Sequence, residues 1–211
     1  GKPMADIVSK DGQVSGTVGD KVISADMMLV SIGRVAVTDG LKLKHAGVKT
    51  DDNGFIPVDS KCRTNVPGIY AIGDNSGKMQ LAHLASAMAQ VAAENVTGGN
   101  VDFDDSLCPG GVYTIPEVGS VGLTEAQCEE QKLDVNVGKF PFAALGKAMA
   151  INETSGFCKI IADKETDQVL GVHILGPHAT DLIAEAVAVM NLETTATELG
   201  RAIHPHPTLA E

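Results

Sequence analysis

His206 and Glu211 lie five positions apart in the stretch His204-Pro205-His206-Pro207-Thr208-Leu209-Ala210-Glu211. A carboxylate that accepts from one ring nitrogen fixes the imidazole tautomer, so the other nitrogen can take or give a proton. Prolines on both sides of His206 restrict the backbone and hold the direction of the ring. Two plainer readings stand beside this one. Thr208 to Glu211 also spells a capping box, with Glu211 reaching back to the Thr208 amide. His204 and His206 are a weak start to a metal site, because no third ligand is in view. The chain stops at this carboxylate, and the expectation is a piece of something longer.

Asp74 is the second candidate. It closes the apolar run Gly68-Ile69-Tyr70-Ala71-Ile72-Gly73-Asp74. A carboxylate at the carboxyl edge of a parallel sheet is placed to bind ligand hydroxyls, and a turn Asp capping its own loop is an even alternative. The helix expected to start near Met79–His83 would aim its free amides at an electron-rich group, as any helix does. Gly73–Lys78 is not a phosphate loop: it has one residue too few between glycines, and Met79 replaces the Ser or Thr that would hold magnesium. His45, His173 and His178 read as structural. Cys62, Cys108, Cys128 and Cys158 are too far apart for a redox CxxC pair or a zinc knuckle, and read as ordinary thiols.

The elements that must position these groups change character near residue 100. Before it, Val14–Val18 and Lys21–Ile23 are short strands separated by Gly19-Asp20. Met27–Ile32 reads as a buried parallel strand, and Phe55–Val58 and Gly68–Asp74 as further strands. Leu81, Leu84, Ala85, Met88, Val91 and Ala92 repeat at helical spacing, which gives a helix of about five turns, stopped by Gly98-Gly99. Strand, turn and helix in this order form half of a doubly wound α/β unit. Residues 101–109 are an acidic linker. Beyond it, strands are expected at 111–115, 118–123, 134–141, 156–163 and 168–176, the last two as a hairpin. Capping boxes open helices at Thr124–Gln127 and Thr195–Glu198, and the apolar Asp181–Leu192 helix should be buried on more than one face. This half is α+β, with helices on one face of an antiparallel sheet.

Composition excludes several classes of function. The net charge of −11 over 211 residues argues against nucleic acid, and aromatics at 3% with no Trp leave no base-stacking platform. No apolar run is long enough to span a bilayer. Gly1-Lys2-Pro3-Met4 leads into no signal-peptide h-region, which together with unpaired thiols points to the cytoplasm.

Taken together, several stretches carry a family resemblance. They are Val30-Ser31-Ile32-Gly33-Arg34, then Thr64–Asp74 with Leu81-Ala82-His83, then Pro116-Glu117-Val118 and Val121-Gly122-Leu123-Thr124, then Gly171–Pro177 and the His-x-His-Pro-Thr-x-x-Glu tail. Over essentially the whole chain the sequence resembles the C-terminal part of the pyridine nucleotide–disulfide oxidoreductases, in their dihydrolipoamide dehydrogenase branch. The resemblance implies an α/β remnant of FAD- and NAD-binding domains followed by an α+β dimerisation (interface) domain. Residues 1–33 would end the NAD domain, with Ser31, Ile32, Gly33 and Arg34 near NAD. Residues 34–100 would belong to the FAD domain, with Asp74 on the ribityl chain and the backbone near Ala82 facing the flavin ring. Residues 101–211 would form a homodimer. There His206, oriented by Glu211, would be the acid–base residue of the partner subunit's dithiol–flavin site. A lipoyl-bearing protein of a 2-oxoacid dehydrogenase or glycine cleavage complex would be the partner. Neither a G-x-G-x-x-G fingerprint nor the family's redox cysteine pair occurs here, so the chain alone is expected to be inactive. The rivals are a non-catalytic dimerisation module and a glutathione-reductase-like enzyme.

Overall fold

The computed structural model describes residues 2–211. The chain opens with a three-stranded antiparallel meander of β1 (Met4–Lys10), β2 (Gln13–Val18) and β3 (Lys21–Ala25), in spatial order β1-β2-β3. Two-residue turns set its register. Asp11 and Gly12 both take positive φ, 52° and 76°, as the tight hairpin turn between β1 and β2 requires. That Asp-Gly pair is the sequence signal for β1, which the apolar pattern alone did not reveal.

Met27–Ile32 does not form the buried parallel strand expected of it. It lies in no sheet, and Met27, Leu29 and Ile32 are 88%, 90% and 95% exposed. A parallel strand needs neighbours covered by helices on both faces, and among the described residues nothing runs beside this one. Phe55–Val58 likewise joins no ladder, and of Gly68–Asp74 only the middle is extended, between a turn at Gly68 and the 3₁₀ turn that takes in Gly73 and Asp74. Their backbone groups are met singly. Ile56 N–H donates to Asn75 O at 2.7 Å, Ala71 N–H to Cys62 O at 3.1 Å, and Arg63 bridges Tyr70. The α/β character of this half therefore lies in the order of extended segment, turn and helix, not in a closed sheet. The helix is α1 (Ala82–Val96), fifteen residues long, and it buries Leu84, Met88 and Ala92 along one stripe. This stripe packs on fully buried Cys62, while Val48, Ile56 and Ala71 make a separate small core. Asn95, also buried, uses its amide to pin the following loop. Its Nδ2 donates to Val101 O at 2.8 Å, and Val101 N–H donates to its Oδ1 at 2.9 Å.

Residues 101–109 contain no helix or strand. Beyond them come β4 (Gly110–Val112), β5 (Glu117–Gly122), α2 (Glu125–Glu130), β6 (Val135–Pro141), α3 (Gly146–Ala150), β7 (Phe157–Asp163), β8 (Val169–Gly176), α4 (Ala179–Met190) and α5 (Ala196–Arg201). The five strands form one antiparallel sheet in the order β4-β5-β8-β7-β6. All five lie close to where the alternation places them, and β7–β8 is the expected hairpin. Its turn is held by Asp163 Oδ1, which accepts from Thr166 N–H and Oγ1 at 2.8 Å each. Both capping boxes form, at Thr124–Gln127 and at Thr195–Glu198.

The main core lies between one sheet face and α4. Val121, Val172 and Ile174 meet Ile183, Ala186 and Met190, and Leu209 of the tail packs against them. The helix buries one face and leaves the other exposed, so the expectation of burial on several faces is corrected. Its apolar outer residues are mostly alanine and valine flanks. Glycine makes the approach close: a Cβ on Gly119 would stand 2.3 Å from Ala179 O. The opposite sheet face carries Lys159 and His173, cross-strand partners that reach α2 and the turn before it. Lys159 pairs with Glu125, and His173 Nε2 lies 2.9 Å from Leu123 O.

Candidate active-site histidine and cofactor residues

The tail is positioned by two elements. Upstream, α5 opens on its capping box and is tied to the β7–β8 hairpin by Thr197 N–H and Ala196 N–H, which donate to Asp167 Oδ2 and O at 2.8 Å each. Downstream, Leu209 enters the main core. Between them His206 stands 75% exposed, with Nδ1 2.7 Å from Glu211 Oε1. Glu211 Oε2 accepts from Thr208 N–H at 2.9 Å. One carboxylate thus serves both roles that the sequence set against each other: it pins its own turn with one oxygen and fixes the imidazole with the other. The Thr208 hydroxyl, however, is buried without a partner, so only the carboxylate half of the capping box at 208–211 exists. The Thr208 amide and then the His206 ring hold the Glu211 carboxyl below its usual pKa, so it stays charged at neutral pH. With Nδ1 donating to the carboxylate, Nε2 is the face open to a substrate proton.

His204 is used differently. Its Nε2 meets Glu185 Oε1 of α4 at 2.7 Å, and its Nδ1 lies 3.1 Å from Ala202 O. Among the described residues no group of three metal-binding side chains occurs, so the His204–His206 pair finds no third ligand. Glu185 was not singled out from the sequence. The available signal was a carboxylate in the middle of an otherwise apolar helix. An apolar cleft of about 420 Å³ opens beneath this region, between the sheet face, α4 and the tail, with Glu185, His204 and Glu211 at its polar edge.

The proposed cofactor residues sit elsewhere. Asp74 lies in a 3₁₀ turn, Gly73–Ser76, entered through Gly73 at φ 70°. Its Oδ2 is 3.5 Å from the Arg34 guanidinium; the Arg34 side chain is largely exposed and that of Asp74 partly so. Arg34 and Asp74, proposed for different cofactors, are therefore neighbours. Ser31, Ile32 and Gly33 lie in exposed, non-strand backbone. Ala82 is the first residue of α1, whose N-terminus has no side-chain cap, so its first amides are left without a side-chain partner. An exposed carboxylate, a basic partner and uncapped amides suit a ligand with hydroxyls and an electron-rich, hydrogen-bond-accepting edge. All four cysteines are free, and burial raises each thiol's pKa, so none resembles an activated nucleophile.

Comparison with known proteins defines the class. The pyridine nucleotide-disulphide oxidoreductase family matches residues 3–89, and the dimerisation domain of the same family matches residues 108–211. The chain belongs to the pyridine nucleotide-disulphide oxidoreductase family. Its curated relatives narrow the branch. It is 47% identical over 195 residues to a dihydrolipoyl dehydrogenase of Chlamydia trachomatis, covering 92% of this chain and 42% of the relative. A dihydrolipoyl dehydrogenase of Bacillus subtilis is 48% identical over 189 residues, covering 89% of this chain and 40% of the relative. The chain thus spans about two fifths of the length of these relatives. Among solved structures, LpdA from Mycobacterium tuberculosis superimposes with a TM-score of 0.92 at 26% identity, over 99% of this chain and 46% of the other. The HOCl-induced flavoprotein disulfide reductase RclA from Escherichia coli gives 0.89 at 28%, over 97% and 47%. No helix among the described residues is long and apolar enough to cross a membrane.

Proposed function

We infer that this chain is the C-terminal part of a flavin-dependent dihydrolipoyl dehydrogenase, which oxidises dihydrolipoamide with NAD through FAD and a redox disulfide lying outside these residues. The single observation that carries this reading is the His206–Glu211 pair at 2.7 Å, with the His206 side chain 75% exposed, on a chain 47–48% identical to dihydrolipoyl dehydrogenases. His206 Nε2 takes the proton of a substrate thiol, which leaves a thiolate able to attack a disulfide. Glu211 orients the ring through Nδ1. Bound FAD would accept the electron pair and deliver it to NAD. Asp74 would hold its ribityl hydroxyls, and the amides at Ala82 would face its ring. Ser31, Ile32, Gly33 and Arg34 would lie along NAD. Residues 1–33, 34–100 and 101–211 serve as the end of the NAD domain, part of the FAD domain and the interface domain. The matched dimerisation domain supports a homodimer in which His206 works in the partner's site. The lipoyl group would come from a 2-oxoacid dehydrogenase or glycine cleavage complex. Four free thiols support a reducing, cytoplasmic setting.

The test is turnover by the native protein that carries this sequence. Reduction of NAD by dihydrolipoamide, with no reaction of glutathione disulfide, is the expected result. A colourless dimer without turnover would favour a dimerisation module, and preference for glutathione disulfide would favour the glutathione-reductase-like reading.

A further inference from the structure

We propose that Glu185 is a positioning residue for the proton transfer at His206, acting through His204; this rests on the acid–base reading of His206. The imidazole of His204 is held at both ends. Nε2 faces the Glu185 carboxylate at 2.7 Å and Nδ1 faces the Ala202 carbonyl at 3.1 Å. The carboxylate only accepts, so His204 Nε2 donates to Glu185. This bond ties the segment that carries His204 to α4. Glu185 supplies a firm post, because α4 is fixed to the sheet through Ala179, Ile183, Ala186 and Met190. Only Pro205 separates His204 from His206, and Pro205 and Pro207 have restricted φ. A displacement of His204 passes to His206 with little slack to absorb it. On the other side Leu209, packed in the core, and Glu211, bonded to the Thr208 amide, hold the segment. His206 is itself 75% exposed and packs against little, so its place is set by these two anchors.

The geometry separates the two Glu–His pairs by job. Glu211 sets the direction of the His206 ring. Glu185 sets where the His-Pro-His backbone stands relative to a substrate thiol. Misplacing a reacting group by about 1 Å costs up to roughly a hundredfold in rate, even when the change is remote from the chemistry.

The experiment is a double-variant cycle in the native enzyme, read as kcat with dihydrolipoamide. Glu185→Ala should lower kcat on the order of ten- to a hundredfold, with KM little changed. Glu185→Gln, whose amide oxygen still accepts from His204 Nε2, should keep most of the rate. In a His206→Gln background, Glu185→Ala should slow the enzyme no further, because the group it positions is already gone. A thermal melt on each variant monitors the fold. The proposal is overturned if Glu185→Ala turns over normally while His206→Gln is slow. It is equally overturned if Glu185→Ala slows the His206→Gln enzyme by its full factor, since that marks a general structural loss. Full activity of His206→Gln alone would remove the acid–base reading itself, a distinct result.

Discussion

Glu211 joins the proposed acid–base residue His206 to its own turn, and its charge state is measurable. The Thr208 amide and the His206 ring stabilise its ionised form and lower its pKa. A depressed carboxyl contributes stability that is present above its unfolded pKa of about 4.3 and is lost as pH falls through the folded value. The carboxyl-carbon NMR signal of Glu211 should accordingly titrate with a midpoint below the ordinary Glu value of about 4.3, and Glu211→Ala, which leaves no acceptor for His206 Nδ1, should loosen the His206 ring. A midpoint above that value would mean that the two contacts are not made in solution. The dyad was legible in the sequence because Pro-His-Pro and a carboxylate five positions later are local. Glu185 was not legible, because its partner lies 19 positions away and they meet only once α4 docks on the sheet.

At the scale of elements, the interface half follows its sequence closely. Alternation in β5 to β8, two capping boxes and an Asp-bounded hairpin are short-range signals, and each was satisfied by partners within the chain. Met27–Ile32 was misread for a reason of the same kind. Its apolar run requires a covered parallel sheet, and apolar pattern alone does not supply the neighbouring strands. The α4 packing is the element most open to test. A methyl at Gly119 would collide with the Ala179 backbone carbonyl, which has no flexible end that can yield. Gly119→Ala should therefore destabilise the chain by about 1–3 kcal/mol, read from urea unfolding. An unchanged midpoint would show that α4 stands farther from β5 than described. Thr195→Ala should cost about 1 kcal/mol through loss of the α5 cap, and it should also loosen the path to His204.

Across the whole molecule, charge and burial are unevenly shared. Glu117, Glu125, Asp163, Asp167, Glu198 and Glu211 are all held below the usual carboxylate range by hydrogen bonds, five of them to threonine hydroxyls or amides at helix starts and turns. Every one belongs to the interface half. Each depressed carboxyl favours the folded state above its unfolded pKa, so stability of this half should be level from pH 7 to about 5 and fall below about 4. Thermal melts across that range check it, and a loss already complete at pH 5 would contradict it. The first half has two small cores and an exposed apolar stretch. Limited proteolysis should therefore cut first between residues 26 and 38, before any cleavage within 110–201. The account rests on His206 as the group that moves the proton. The most direct measurement is kcat of the native enzyme carrying His206→Gln, with dihydrolipoamide and NAD. A fall of roughly 10²–10⁴-fold is predicted, with flavin content unchanged, whereas turnover near that of the unaltered enzyme would contradict the account.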